Sequence, residues 1–133
     1  MKYPWKEEDF ELDTPLAKYF LKGDVLYIKT KKVLIDKENQ KENLDLMVEY
    51  LNGERPKVFI DAEESLPSMK EQRDQMKREM ETHVKQMAVF SNKTFINGLV
   101  NIYLAMIKPT IPVRLFNDYK EALEWLDKPS TKN

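Results

Sequence analysis

Lys57-Val58-Phe59-Ile60-Asp61 is the stretch that decides the fold. Its middle is apolar and β-prone, and a carboxylate closes it. Pro56 precedes the run and Ala62-Glu63-Glu64-Ser65-Leu66-Pro67 follows, so it is short and bounded on both sides. A brief apolar run between turn signals reads as a strand buried on both faces. The chain after it alternates helix, apolar strand, helix, apolar strand and helix, which predicts an α/β domain built around residues 57–61.

Working back, Leu16–Lys22 and Val25–Thr30 are β-rich runs around Gly23-Asp24, a hairpin signal. Val33-Leu34-Ile35 is expected to continue extended up to Asp36, a suitable N-cap. Leu44, Met47, Val48 and Leu51 then mark one face of a helix over roughly 37–52. Gly53 and Pro56 stop it. Residues 1–13 show no period and are read as an N-terminal arm or edge strand.

Working forward, Ser68-Met69-Lys70-Glu71 matches a capping box opening a charged helix to about Thr82, with a narrow stripe of Met69, Met76 and Met80. Gln86–Ser91 is a second buried strand. Ser91 or Asn92 caps a helix to about Ile107 that is apolar on most of its circumference, predicting burial on more than one side. Val113–Phe116 is extended, and Asn117 or Asp118 caps a last helix. The order is β-β-α-β-α-β-α-β-α, with the later strands parallel because their crossovers are long and helical. Residues 14–127 form one domain in this reading, and 128–133 a disordered tail.

Composition bounds the chemistry. In 133 residues, 22 basic and 23 acidic side chains nearly cancel, which argues against a nucleic-acid partner. Cysteine is absent, which removes thiol nucleophiles and thiolate metal sites and suits a cytoplasmic setting. Glycine stands only at positions 23, 53 and 98, too sparse for a phosphate-cradling loop, and His83 is the sole histidine. No apolar run reaches the ~20 residues of a membrane span. No cofactor, metal or catalytic constellation is expected, and the reading is non-enzymatic.

Three pieces point to a family: Val58-Phe59-Ile60-Asp61, Ala88-Val89-Phe90-Ser91, and Lys108-Pro109-Thr110-Ile111-Pro112-Val113-Arg114-Leu115-Phe116. With the closing Ala122-Leu123-Glu124-Trp125-Leu126, the chain resembles the STAS fold of SpoIIAA-like proteins, and most closely a group of short uncharacterised bacterial STAS-like proteins. The resemblance implies an α/β, STAS-like mixed sheet of four to five strands with surrounding helices. In anti-sigma-factor antagonists of that fold, the helix after the central strand opens at a phosphorylated Ser or Thr, within Asp-Ser-Ser-Gly-Leu-Gly. The matching Leu66-Pro67-Ser68-Met69-Lys70 lacks the Asp and both glycines.

Ser68 is accordingly a candidate phosphoacceptor or partner contact, against a plain capping role. Asp61 and Ser91 are candidates for a site rim at the carboxyl ends of parallel strands, against loop capping. Tyr103, Met106 and Ile107 are candidate interface residues on a helix otherwise read as core. The leading expectation is a protein–protein interaction module docking an unknown protein partner around 61–76, with a homodimer as one form. The alternative is a small-molecule or lipid carrier using the space between helices 68–82 and 93–107.

Overall fold

The computed structural model describes residues 4–128. A six-stranded sheet runs in sequential order: β1 (Leu12–Asp13), β2 (Ala17–Lys22), β3 (Val25–Thr30), β4 (Lys57–Asp61), β5 (Gln86–Phe90) and β6 (Val113–Phe116). Four helices follow β3 to β6 in turn: α1 (Lys37–Leu51), α2 (Lys70–His83), α3 (Thr94–Ile107) and α4 (Tyr119–Asp127).

The strand read first, 57–61, is found with those bounds and lies inside the sheet. Leu26 and Tyr27 of β3 stand opposite Val58 and Phe59, which face Met87 and Ala88 of β5. All three of these pairings from β3 to β6 are parallel, whereas β1, β2 and β3 are antiparallel neighbours. The β2–β3 turn uses Gly23 at φ +63°, a left-handed conformation that suits glycine.

Side-chain alternation divides the core between the two faces. On one face Leu26, Ile28 and Val58 pack with Met47 and Leu51 of α1 and Met80 of α2, and Val89 packs with Ile96 of α3. On the other, Phe59, Ala88, Phe90 and Phe116 pack with Ala122 and Leu126 of α4. Three helices on one side is what repeated right-handed crossovers in a single direction require.

Caps fix the helices locally. Asp36 Oδ1 accepts from the Asn39 N–H and Asn39 Oδ1 from the Asp36 N–H, both at 2.8 Å. The left-handed pair Asn52 and Gly53 ends α1. Asp118 caps α4, and Lys57 Nζ donates to the carbonyls of Leu126 and Lys128 at its far end, where a cation is favoured.

Several expectations are corrected. The sheet has six strands, not four to five, because the N-terminal arm contributes β1 as an edge strand. Within the same arm, Trp5 meets Phe59 edge-on at 5.5 Å and covers part of the α4 face. Val33-Leu34-Ile35 is not a strand, and Leu34 is exposed. Helix α2 starts at Lys70 with Met69 as N-cap and no side-chain cap, so the Ser68–Glu71 box does not form. Helix α3 likewise starts at Thr94, with Lys93 as N-cap and no side-chain cap in place of the expected Ser91 or Asn92. Nor is α3 buried on more than one side: Phe95, Ile102 and Met106 are more than half exposed. It lies above the β5–β6 end of the sheet, where the layer stops. The tail at 128–133 falls outside the described residues apart from Lys128.

Candidate functional site

The helices α1, α2 and α3 do not close down fully on their face of the sheet. Helix α2 finds its closest packing against α1 and α3. Its inward stripe is narrow: Met80 and Gln72 are buried, but long charged side chains occupy most other positions. Beneath it lies a cavity of about 290 Å³. The sheet supplies Tyr19, Ile28, Ile60 and Met87 to its floor. Met47 of α1, Met76 and Met80 of α2, and Val100, Leu104 and Ile107 of α3 make the walls.

A few polar groups interrupt this apolar lining. The Tyr19 hydroxyl and the Thr14 hydroxyl each donate to Asn43 Oδ1 at 2.6 Å. Burial pushes the Tyr19 phenol up to about 12. Gln40 Nε2 donates to the Gln72 carbonyl at 2.9 Å, tying α1 to α2. Glu79 also lines the cavity; burial raises its carboxyl pKa, opposed by a 3.1 Å hydrogen bond from Gln75 Nε2 and by the nearby Arg78 charge. Cavity residues recur on helical spacing: Gln40, Asn43 and Met47 on α1, and Met76, Glu79 and Met80 on α2. Polar residues in phase with an apolar stripe were the available signal for this wall, and it passes for ordinary surface charge when α2 is read alone.

The structure separates the residues singled out from sequence. Asp61 is buried at the carboxyl end of β4, where its Oδ1 accepts from the Glu63 N–H at 3.0 Å. Ser91, fully buried, directly follows β5, and its Oγ accepts from the Lys93 N–H at 3.0 Å. Between these loops Glu63 accepts from the Asn92 N–H at 2.8 Å and Glu64 pairs with Lys93 at 2.9 Å. These bonds stitch two loops together. No cluster of three or more Asp, Glu or His side chains able to hold a metal occurs among the described residues.

Ser68 sits just before α2. Its N–H donates to the Tyr103 hydroxyl at 3.0 Å, its carbonyl accepts from Arg73, and its Oγ is buried without a partner. The Arg73 guanidinium covers the Tyr103 ring at 4.9 Å, so Tyr103 clamps α2 to α3. Tyr103 and Ile107 face the cavity, whereas Met106 lies outward with Phe95 and Ile102. The three candidate interface residues therefore lie on two sides of one helix.

Asp61 gives a pH test. Burial first, then the charges of Glu63 and Glu64, raise its carboxyl pKa, while the Glu63 N–H and Lys29 oppose them. A carboxyl held above its unfolded value binds its proton more tightly in the fold, so its ionisation erodes stability as pH rises through the raised value. Asp61→Asn keeps an acceptor for the Glu63 N–H and loses that penalty. Thermal unfolding should show the variant more stable than wild type near neutrality, with the advantage gone below about pH 4. A less stable variant at neutrality would mean that the ionised carboxylate is held favourably.

The sequential sheet with three helices on one face and one on the other defines a SpoIIAA-like α/β protein. An uncharacterized protein of the DUF3478 family with a SpoIIAA-like fold, from Shewanella loihica PV-4, is similar over 87% of this chain and 96% of its own, with a TM-score of 0.63 and 16% identity. The chain belongs to the family described as domain of unknown function DUF7793, which matches residues 19–130. No curated protein matches it. The fold implied by the STAS resemblance is thus present.

Proposed function

We propose that this protein is a non-enzymatic carrier that holds a small apolar molecule between its sheet and helices α1 to α3. The cavity supports this reading. Protein interiors keep few voids larger than a water molecule. This space of about 290 Å³ is partly open, and water held against its aliphatic lining is unfavourable. Larger side chains would remove that penalty, so a space kept open and lined by Met, Val, Leu and Ile suits an occupant. The site is wider than the gap between 68–82 and 93–107, since α1 and the sheet also contribute. The cysteine-free, nearly neutral composition supports a cytoplasmic setting. No helix among the described residues is long and apolar enough to cross a membrane.

Calorimetric titration with 1-nonanol, kept below its aggregation limit, should show saturable binding at one site. Val89 borders the cavity, so Val89→Phe should fill part of it and weaken binding by roughly tenfold or more. Val100→Phe does the same from α3 and serves where the first variant folds poorly. Wild type that takes up no nonanol, or filled variants that bind it unchanged, would sink the carrier reading.

A second reading rests on a separate observation. Phe95, Ile102 and Met106 form an exposed apolar line on α3, a helix without a charged residue. Such a surface suits protein–protein contact, and moves the expected docking region from Ser68 to the outer face of α3.

A further inference from the structure

The charges on the cavity wall say what kind of molecule fits, given that the cavity is a carrier site. Among the described residues only two lining side chains carry charge, Lys31 and Glu79. Lys31 is engaged by the protein: its Nζ binds the Asp13 carboxylate and donates to the Thr14 carbonyl at 2.6 Å. Glu79 is different. It belongs to no ion pair within 4.0 Å among the described residues, and its hydrogen bond comes from the neutral Gln75 amide. Arg78, the nearest cation in sequence, places its Nε and Nη2 on Gln75 Oε1 at 3.1 and 2.6 Å.

The polar groups around Glu79 do not offset this. The Tyr19 hydroxyl gives its proton to Asn43, and Gln40 Nε2 is used by the Gln72 carbonyl. A half-buried carboxylate in an apolar space attracts a cation more strongly than it would in water, and a second carboxylate there is repelled. The wall therefore presents aliphatic surface with one carboxylate that Arg78 influences from a distance but does not pair within 4.0 Å.

We infer that the occupant is an alkyl amine, with an apolar body of roughly a dozen heavy atoms and one ammonium group paired with Glu79. The size follows from proportion: a cavity of ~150 Å³ accepts benzene, and this one is about 290 Å³. Fatty acids of the same length are the class that this wall excludes. The ammonium donates to the Glu79 oxygen, and the chain lies against Met47, Met80 and Leu104.

Nonylamine, 1-nonanol and nonanoate differ only in the head group, so titrating each into the whole protein near neutral pH separates the class from the site. Nonylamine should bind roughly tenfold tighter than nonanol, and nonanoate weakest of the three. Glu79→Gln keeps the shape and removes the charge; it should cut amine affinity roughly tenfold while leaving nonanol within about twofold. Nonanoate binding as tightly as nonylamine overturns the amine assignment, as does a Glu79→Gln protein that loses nothing for the amine. Either result with nonanol still bound leaves the carrier itself standing. If none of the three binds, the carrier reading falls and the amine assignment with it. The comparison of the three ligands on wild type decides the sign even where the variant folds poorly.

Discussion

Phe59→Ala is expected to destabilise the protein by about 4 kcal/mol, a large share of the ~5–15 kcal/mol available to a domain. Phe59 lies at the middle of β4 with no exposed surface. Its ring meets Trp5 edge-on at 5.5 Å, Tyr27 at 5.9 Å and Phe90 at 6.0 Å. Truncation removes the transfer energy of the ring and leaves a void that three other aromatic side chains and the α4 layer share. Rigid β-sheet backbone on both sides of Phe59 limits collapse, which puts the loss near the top of the usual range. The variant should also loosen the N-terminal arm, because Trp5 packs on Phe59 as well as on Phe10 and Phe20. Urea unfolding measures the loss, and the fluorescence of Trp5, read in a Trp125→Phe background, reports the arm. Phe95 on the outer face of α3 is the control, since its exposed ring should give a change within about 0.5 kcal/mol when truncated. Equal losses at the two positions would contradict this division between core and surface.

The contrast between Phe59 and Phe95 also marks how far the sequence can be read. Residues 57–61 were legible because the apolar run, Pro56 before it and the acidic loop after it agree, and burial on both faces imposes no alternation. Asp36 was legible as a cap, and Asp118 as one of two candidates with Asn117, because capping is a local interaction of a side chain with the backbone a few residues on. Ser68 matched the same kind of pattern and does not cap. Its N–H is taken by Tyr103 and its carbonyl by Arg73. The first of these contacts comes from 35 residues away and no local pattern contains it. The apolarity of α3 was legible, but its burial was not: composition records how apolar a helix is, whereas coverage depends on where the sheet ends. Trp5 carries no periodic signal and joins the core only because the hairpin brings the arm across the sheet face.

The candidate cavity was legible only in outline. A soft, Met-bearing α2 beside α3 pointed to a gap, and α1 was missing from that picture. Periodicity assigns a residue to a helix face but not a distance between that face and the layer below. Gln72 and Glu79 therefore looked like members of a charged surface. Their placement against Gln40 and Tyr19 follows from how α2 seats on α1, a tertiary property.

Asn43→Leu should cost about 3 kcal/mol, more than its small change in volume suggests. Asn43 is nearly buried, and its Oδ1 receives both the Tyr19 and the Thr14 hydroxyls at 2.6 Å. Leucine removes the acceptor that the two buried hydroxyls share, and a buried hydroxyl left unsatisfied costs about 1–3 kcal/mol. Thr14 keeps an alternative in the Ala17 carbonyl at 3.0 Å, so most of the penalty falls on Tyr19. Adding Tyr19→Phe should then return part of the loss: the double variant is expected to be at least about 1 kcal/mol better than the sum of the singles. Strict additivity would show that the hydroxyl and the amide do not act as a unit. The phenol supplies an independent check. Its folded value of about 12 lies above the ordinary 10.0, chiefly through burial. The resulting contribution is complete below the ordinary value and is lost as pH rises through about 12. Tyr19→Phe should therefore unfold less steeply across that alkaline interval than wild type. This polar node stands on the cavity wall beside aliphatic side chains that an occupant would touch, and Tyr19 lies close enough to Glu79 for the carboxylate charge to raise the phenol further. Glu79→Gln removes that charge, so the Tyr19 phenol of the variant should titrate below its wild-type value.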